Sequence, residues 1–322
     1  MNNEKPLVSV IIPTYNTPYD FLFESIRSIL CQADILLELI VVDDGTDLID
    51  DLNKIKTFFC NEKRVSFVNN YHKKGVAGAL NTGIDLAKGK YLLRMDADDV
   101  SNIDRIKKQV AFMEKHPEVS LFSSSAKCFG SSKRTFKVPT NDIAIKVGLL
   151  FKNTIVHPTV CLRKSSIDSY NLRYNEDVQN EDYDLWMRMS LIKGFYFSAT
   201  KKTLLKYRIH QKQVTNERKH ILDTQGLSLR MKYLLTICKN IENNLALIFA
   251  KFTMGDKIAS GKELFDVQKI VYQLAKDNEV FYKKNNMRKA YWKYCFRRTL
   301  SSCVHNHSFH PIVLIRCLLR AF

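Results

Sequence analysis

Three aspartates within four positions, Asp96, Asp98 and Asp99 in the stretch LLRMDADDV, are the residues of this chain best suited to chemistry. Carboxylates that close repel one another and resist burial, so something must neutralise them. A divalent cation would do so, because Mg²⁺ takes one or two carboxylates and completes its shell with water and phosphate oxygens. A cation held there could in turn neutralise a leaving diphosphate. Taken alone, DADD fits equally well a turn leading into a helix N-terminus, where Asp is common for other reasons. Two further polar stretches, Pro13-Thr14-Tyr15-Asn16 and Asp43-Asp44-Gly45, each follow an apolar β-branched run and favour the first reading.

Those stretches need elements to bring them together. LVSVIIP (7–13) reads as a buried strand ended by Pro13, and Thr17-Pro18 as the N-cap and first residue of a helix with stripe Leu22, Ile26 and Ile29 or Leu30. ELIVVDD (38–44) is the second strand, before a helix opened by Thr46 with Ile49, Leu52, Ile55 and Phe59 inward. RVSFVNN (64–70) is the third, before a helix with Val76, Leu80, Ile84 and Ala87 aligned and Gly89 as its stop. KYLLRM (90–95) is the fourth; Ser101 and Asp104 resemble a capping box for a helix with Ile106, Val110 and Met113 inward, ended by Pro117. Such alternation predicts an α/β protein with a mostly parallel sheet covered on both faces. The acids then fall at the carboxyl ends of strands one, two and four, the edge where open α/β sheets bind ligands. Further strands are expected at 119–125, 159–163 and 195–199, with helices near 141–151 and 180–193. Beyond about 217 the pattern is helical.

Composition narrows the classes. The hydrophobic content of 45% with 26% charged residues describes a folded protein, and 322 residues allow one domain with an appendage. The start, MNNEKPLVSV, has no basic and apolar leader, and no apolar run reaches spanning length, so export and membrane insertion are not expected. Eight scattered cysteines without a C-x-x-C pair predict reduced thiols in a cytoplasmic protein. Neither G-x-G-x-x-G after the first strand nor a P-loop occurs, which removes support for dinucleotide and P-loop chemistry.

VSVIIPTYN, IVVDDGTD, GVAGALNTGIDLAKGKYLLRMDADD and NEDYDLWMRM, in this order across roughly 6–215, resemble family 2 glycosyltransferases of the GT-A fold, of the bacterial capsule, exopolysaccharide and lipopolysaccharide type. The resemblance implies a GT-A catalytic domain over 1–216, with a nucleotide-binding half to about 100 and an acceptor half from 101. A helical, basic region at 217–322 follows. It further implies an inverting transfer from a nucleotide diphosphate sugar, UDP by family frequency, to a glycan or lipid-linked acceptor, with Mn²⁺ or Mg²⁺. On the matching positions, Pro13 and Tyr15 line the nucleotide pocket, Asp44 meets the base, Asp96 lies near the ribose and Asp98 on the metal. Asp182 corresponds to the catalytic base. Arg208 and His210, in YRIHQKQVT, correspond to a late R-x-H element near the diphosphate, with His210 an extra metal contact. Leu80 stands where many members place an Arg, and Arg94 is the nearby cation that could replace it.

Locally, Asp182 lies three and four residues before Leu185 and Trp186, on a face that packs inward. Glu181, Asp182 and Asp184 would also simply complement a helix dipole. Glu181 and His157 are assigned to the acceptor side, although a His beside Pro is more often structural.

The net charge of +17 concentrates in the tail, where nine Lys and Arg residues follow Glu279 without one acid among them. With interleaved aromatics, this segment fits peripheral docking on an anionic inner membrane face, ahead of simple packing and ahead of nucleic acid. Two rival classes stay in view. A sugar nucleotidyltransferase should carry a G-x-G-T-R-x-x-P-like start, which PTYN does not supply. A non-enzymatic basic membrane- or nucleic-acid-binding protein would leave the clustered acids unexplained.

Overall fold

The structure, a computed structural model, describes residues 7–32, 35–210, 219–238 and 241–254, with isolated positions between 263 and 274. β1 (Val8–Thr14) is buried at every position, as an apolar run with a strand on each side should be. It pairs in parallel with β2 (Leu37–Asp43) and β4 (Tyr91–Arg94), and β2 pairs in parallel with β3 (Val65–Asn69). Helices α1 (Tyr19–Leu30), α2 (Ile49–Phe58) and α3 (Val76–Leu86) connect them. Leu22, Ile26, Ile29, Leu52, Ile55, Leu80 and Ile84 are buried as their spacing predicts. Ile49, 61% exposed, and Val76, 42% exposed, depart from the expected stripes. Each opens its helix, before the face that meets the sheet is established.

Several boundaries differ from expectation, among them the start of α2, whose N-cap is Leu48 rather than Thr46. β1 does not stop at Pro13: its pairing with β4 ends at Ile11 and Arg94, so no neighbour on that side requires the N–H that proline lacks. Pro18, with extended ψ of 148°, is itself the N-cap of α1, and Tyr19 is the first helical residue. Ser101 forms no capping box, because it lies in the short strand β5 (Val100–Ser101) and its hydroxyl accepts from Gln32 at 2.8 Å. Helix α4 (Arg105–Lys115) begins after Asp104, whose carboxylate pairs with Lys108 instead.

The second half of the sheet is mixed rather than parallel. β8 (Cys161–Arg163), which leads into the short helix α6 (Lys164–Ser169), runs antiparallel to β4, β6 (Val119–Gly130) antiparallel to β8, and β9 (Tyr196–Ile209) parallel to β6. β5 and β7 (Thr135–Phe136) add antiparallel to β9 and β6, and the order is β3-β2-β1-β4-β8-β6-β9-β5, with β7 off this path. From β1 the chain proceeds outward to β2 and β3, then returns to the other side of β1 for β4. Strand order therefore reverses between β1 and β4, and the carboxyl ends part there, the usual place for a ligand crevice. β9 is far longer than 195–199; its pairing with β5 carries Arg208 to the aspartates that follow β4.

Two compact units are distinguished. The first comprises Met1–Thr140, Ile155–Leu185 and Gly194–Glu217, and includes the whole sheet. The second comprises Asn141–Thr154, Trp186–Lys193 and Arg218–Phe322. In it α5 (Asp142–Leu149), α8 (Lys219–Ile237) and α9 (Asn243–Met254) are helical, and the rings of Phe151 and Phe249 meet edge to face at 5.8 Å. Among the described residues no helix is long and apolar enough to cross a membrane. The basic segment after Glu279, and with it the expected membrane contact, lies outside the described residues.

Candidate active site

The ends of β1 and β2 make one wall. Asp44 is buried, and its carboxylate accepts from Nδ2 of Asn70 at 2.6 Å and from the backbone N–H of Gly75 at 2.8 Å. Gly75 has φ of 135°, a conformation only glycine takes readily, and it caps α3. Asp44 thus pins loop 70–75 over the strand ends. Pro13 lies in the open end of β1, while Tyr15 is 48% exposed with the Lys74 ammonium 4.8 Å from its ring centre. An exposed aromatic face beside a cation could receive a planar base.

The second wall is the DADD turn. Asp98 Oδ2 lies 2.9 Å from Nε2 of His210, and both side chains are partly exposed. Arg208 shapes this turn: its backbone N–H donates to Asp99 Oδ1 at 2.9 Å and its Nε to the Asp98 carbonyl at 2.6 Å. The guanidinium lies between the rings of Phe21 and Phe129, 4.2 and 4.4 Å from their centres, and reaches Glu24 at 2.5 Å. Its contacts are thus those of a brace for the aspartates. Asp99 is buried, and burial together with the charges of Asp96 and Asp98 lifts its carboxyl well above the ordinary range.

Asp96 has a different partner. Its Oδ1 pairs with Nη2 of Arg94 at 2.5 Å. Burial raises the Asp96 carboxyl, and the Arg94 charge works against that rise. Burial also opposes the charge on Arg94, but Asp96, Tyr174 and Glu181 outweigh it and hold the guanidinium protonated.

Beyond Arg94 stand Glu181, Asp182 and His157. α7 (Glu181–Ser190) presents Glu181 and Asp182 from its first turn, and Nδ1 of His157 lies 3.9 Å from a carboxylate oxygen of each. Burial, reinforced by the Asp182 charge, pushes the Glu181 carboxyl up to about 8. Burial and the Arg94 charge hold the His157 imidazole well below its usual range, hence neutral. Nε2 of His157 meets the Tyr174 hydroxyl at 2.9 Å.

The structure therefore brings Asp96, Arg94, Glu181, Asp182 and His157 into one electrostatic neighbourhood, while Asp98 and Asp99 of the same turn contact His210 and Arg208. Reading the sequence missed Tyr174, the brace of Phe21, Phe129 and Glu24, and Asn81. No local signal marks them, since each meets its partner across tens of residues.

Among the described residues no group of three or more His, Cys, Asp or Glu side chains stands ready to hold a metal ion. Asp98 with His210 is too small a set to enclose a cation. It fits a site completed by diphosphate oxygens and water, in which one hard carboxylate oxygen suffices as anchor.

Comparison with known proteins gives the family and the fold. A curated glycosyltransferase of Methanocaldococcus jannaschii is 31% identical over 217 residues, 64% of this chain and 72% of that protein. The Escherichia coli UDP-Glc:alpha-D-GlcNAc-diphosphoundecaprenol beta-1,3-glucosyltransferase WfaP is 32% identical over 212 residues, 65% of this chain and 80% of that one. Among solved structures, S. aureus TarS 1–349 in complex with UDP-GlcNAc superposes with a TM-score of 0.59 at 15% identity, covering 94% of this chain and 93% of that one. The mannosyltransferase PcManGT from Pyrobaculum calidifontis, in complex with GDP-Man and Mn²⁺, gives 0.56 at 15%, covering 99% and 88%. These likenesses show the fold, a GT-A-like α/β arrangement. The model of glycosyl transferase family 2 matches residues 9–200, more than half of the sequence, and the chain belongs to that family.

Proposed function

We propose that this glycosyltransferase moves a sugar from a nucleotide diphosphate donor, a UDP-sugar, to a hydroxyl of a lipid-linked or glycan acceptor in surface polysaccharide or lipopolysaccharide synthesis, with inversion at the anomeric carbon. The observation that carries this reading is the buried Arg94, which pairs with Asp96 on one side and feels Glu181 on the other. A single fixed charge thereby joins the strand-end acids to the Glu181-Asp182 pair. WfaP, whose name gives a UDP-Glc donor and a diphosphoundecaprenol-linked acceptor, supports UDP and a polyprenyl-linked acceptor here.

In the reaction, Asp182 takes the proton of the acceptor hydroxyl as its oxygen attacks the anomeric carbon. The bond from that carbon to the diphosphate breaks, and its electron pair leaves on the diphosphate oxygen. A single displacement of this kind inverts configuration. Asp98 and His210 would hold the cation, Mn²⁺ or Mg²⁺, which when bound supplies positive charge to the departing diphosphate. Pro13, Tyr15 and Asp44 bind the nucleotide. Asp96, held by Arg94, faces the ribose, and Arg208 keeps the DADD turn in place. Glu181 and His157 line the acceptor side. Residues 1–216 form the catalytic domain, and the basic region 217–322 docks it on the anionic inner leaflet, where a lipid-linked acceptor would lie.

A thermal-shift panel of UDP, GDP, CMP and dTDP, each with and without Mn²⁺ or Mg²⁺, tests the reading. UDP with cation is expected to stabilise the protein most. A shift by no nucleotide, together with retention on heparin, would favour a non-enzymatic basic protein.

A further inference from the structure

We propose that His72 is a positioning residue for nucleotide binding: its imidazole clasps the middle of loop 70–75 to Asp85 and Glu176, and so preserves the loop's grip on Asp44. The inference rests on reading Asp44 as the residue that meets the base. His72 acts through that carboxylate.

Both ends of the loop converge on Asp44. Asn70 Nδ2 donates to Asp44 Oδ1 at 2.6 Å, and the Gly75 N–H donates to Asp44 Oδ2 at 2.8 Å. The chain between them also folds back on Asn70, whose Oδ1 accepts from the His72 N–H at 2.9 Å and from the Thr82 hydroxyl at 2.8 Å. A loop fastened only at its ends bows at its middle, and here a bow would draw Asn70 and Gly75 away from Asp44.

The His72 ring fastens that middle. Its Nε2 lies 2.9 Å from Asp85 Oδ2 on α3, and its Nδ1 lies 3.0 Å from Glu176 Oε1. Both acids are held in place by other residues. Arg173 donates to Asp85 Oδ1 from Nε at 3.0 Å and from Nη2 at 2.8 Å, while Asn81 Nδ2 donates to Glu176 Oε1 at 2.7 Å and to the Tyr174 carbonyl at 3.0 Å. Segment 173–177 is thus tied along α3, and the loop is tied to it. Burial raises the Asp85 carboxyl, but hydrogen bonds from His72 and Arg173 outweigh that and hold it below the ordinary range. Burial raises Glu176 too, and hydrogen bonds from Asn81, the Lys73 N–H and His72 again prevail. Two ionised carboxylates therefore flank the ring. The Lys73 N–H adds a contact to Glu176 Oε2 at 3.1 Å; the Lys73 ammonium pairs only with Asp177, 82% exposed, where water screens the pair. Gly78 of α3 permits this close seating, since a Cβ there would lie 3.2 Å from the His72 Cβ.

The full-length chain carrying His72→Ala, checked for folding by thermal melting, tests the clasp. Partly exposed contacts of this kind shift an equilibrium about fivefold, so the UDP dissociation constant, measured by calorimetry with Mn²⁺, should rise by about that factor. The donor KM should rise with it while kcat keeps its wild-type value, the signature of lost binding rather than lost chemistry. Hydrogen exchange read by mass spectrometry should be faster across loop 70–75 in the unliganded variant. Wild-type UDP affinity in the variant, a fall in kcat with KM unchanged, or unaltered exchange would each overturn the proposal. A wild type that binds no nucleotide would sink the reading of the crevice and the clasp together, whereas equal binding by wild type and variant sinks the clasp alone. Should His72→Ala not fold, His72→Gln, which has no ring to span both acids, carries the same expected outcomes.

Discussion

At the scale of single residues, the site depends on charges placed where water cannot screen them. Arg208 sits between Phe21 and Phe129 while its Nε holds the Asp98 carbonyl. Lysine keeps the charge but loses the planar faces and the fork, and a cation over a ring contributes about 0.5–2 kcal/mol. Arg208→Lys should therefore weaken cation-dependent nucleotide binding several-fold, measured by calorimetry with and without Mn²⁺, while the binding seen without cation stays nearly constant. Glu181 gives a pH prediction with a definite sign. Its carboxyl is lifted from 4.5 to about 8, so the folded state binds the proton more tightly than the unfolded one. That contribution is fully present below pH 4.5 and is lost as pH rises through about 8. Melting temperature followed from pH 5 to 9 should fall less in Glu181→Gln than in the wild type.

At the scale of elements, loop 70–75 and the start of α3 carry the wall proposed to bind the nucleotide. The loop's grip on Asp44 runs through the Gly75 N–H. Gly78, in the first turn of α3, lies against the loop so closely that a Cβ would collide with the Lys73 carbonyl oxygen. Gly78→Ala should destabilise by about 1–3 kcal/mol, the usual range for overpacking. It should also diminish the UDP-induced rise in melting temperature, both read from thermal scans. The parallel half of the sheet was legible because β1 and β2 are β-branched apolar runs and β4 is a Tyr-Leu-Leu run, each followed by turn residues, and their acids fall at one edge by topology alone. β9 was read short because TKKTLLKYRI alternates too irregularly to mark a strand; its pairing with β6 and β5 sets its length. Tyr174 and Asn81 were not legible for a different reason. They meet across 93 residues, and no local pattern encodes such a contact.

At the scale of the whole molecule, the proposed division of labour assigns chemistry to 1–216 and membrane docking to the basic region that follows. Each basic residue near an anionic surface contributes about 1 kcal/mol, so replacing Lys283, Lys284, Arg288 and Lys289 with Gln should weaken binding to phosphatidylserine vesicles at least ~100-fold in sedimentation assays. Turnover of a soluble donor should be unaffected. The central claim is that one crevice binds the donor through Asp98 and a cation and activates the acceptor through Asp182. The most direct measurement of it is UDP-sugar turnover under saturating Mn²⁺ by wild type, Asp98→Ala and Asp182→Asn, with UDP affinity recorded for each. The account predicts that Asp98→Ala loses turnover together with the cation dependence of UDP binding, while Asp182→Asn binds UDP normally and loses roughly 10²–10⁴-fold in rate; undiminished turnover in either variant would contradict it.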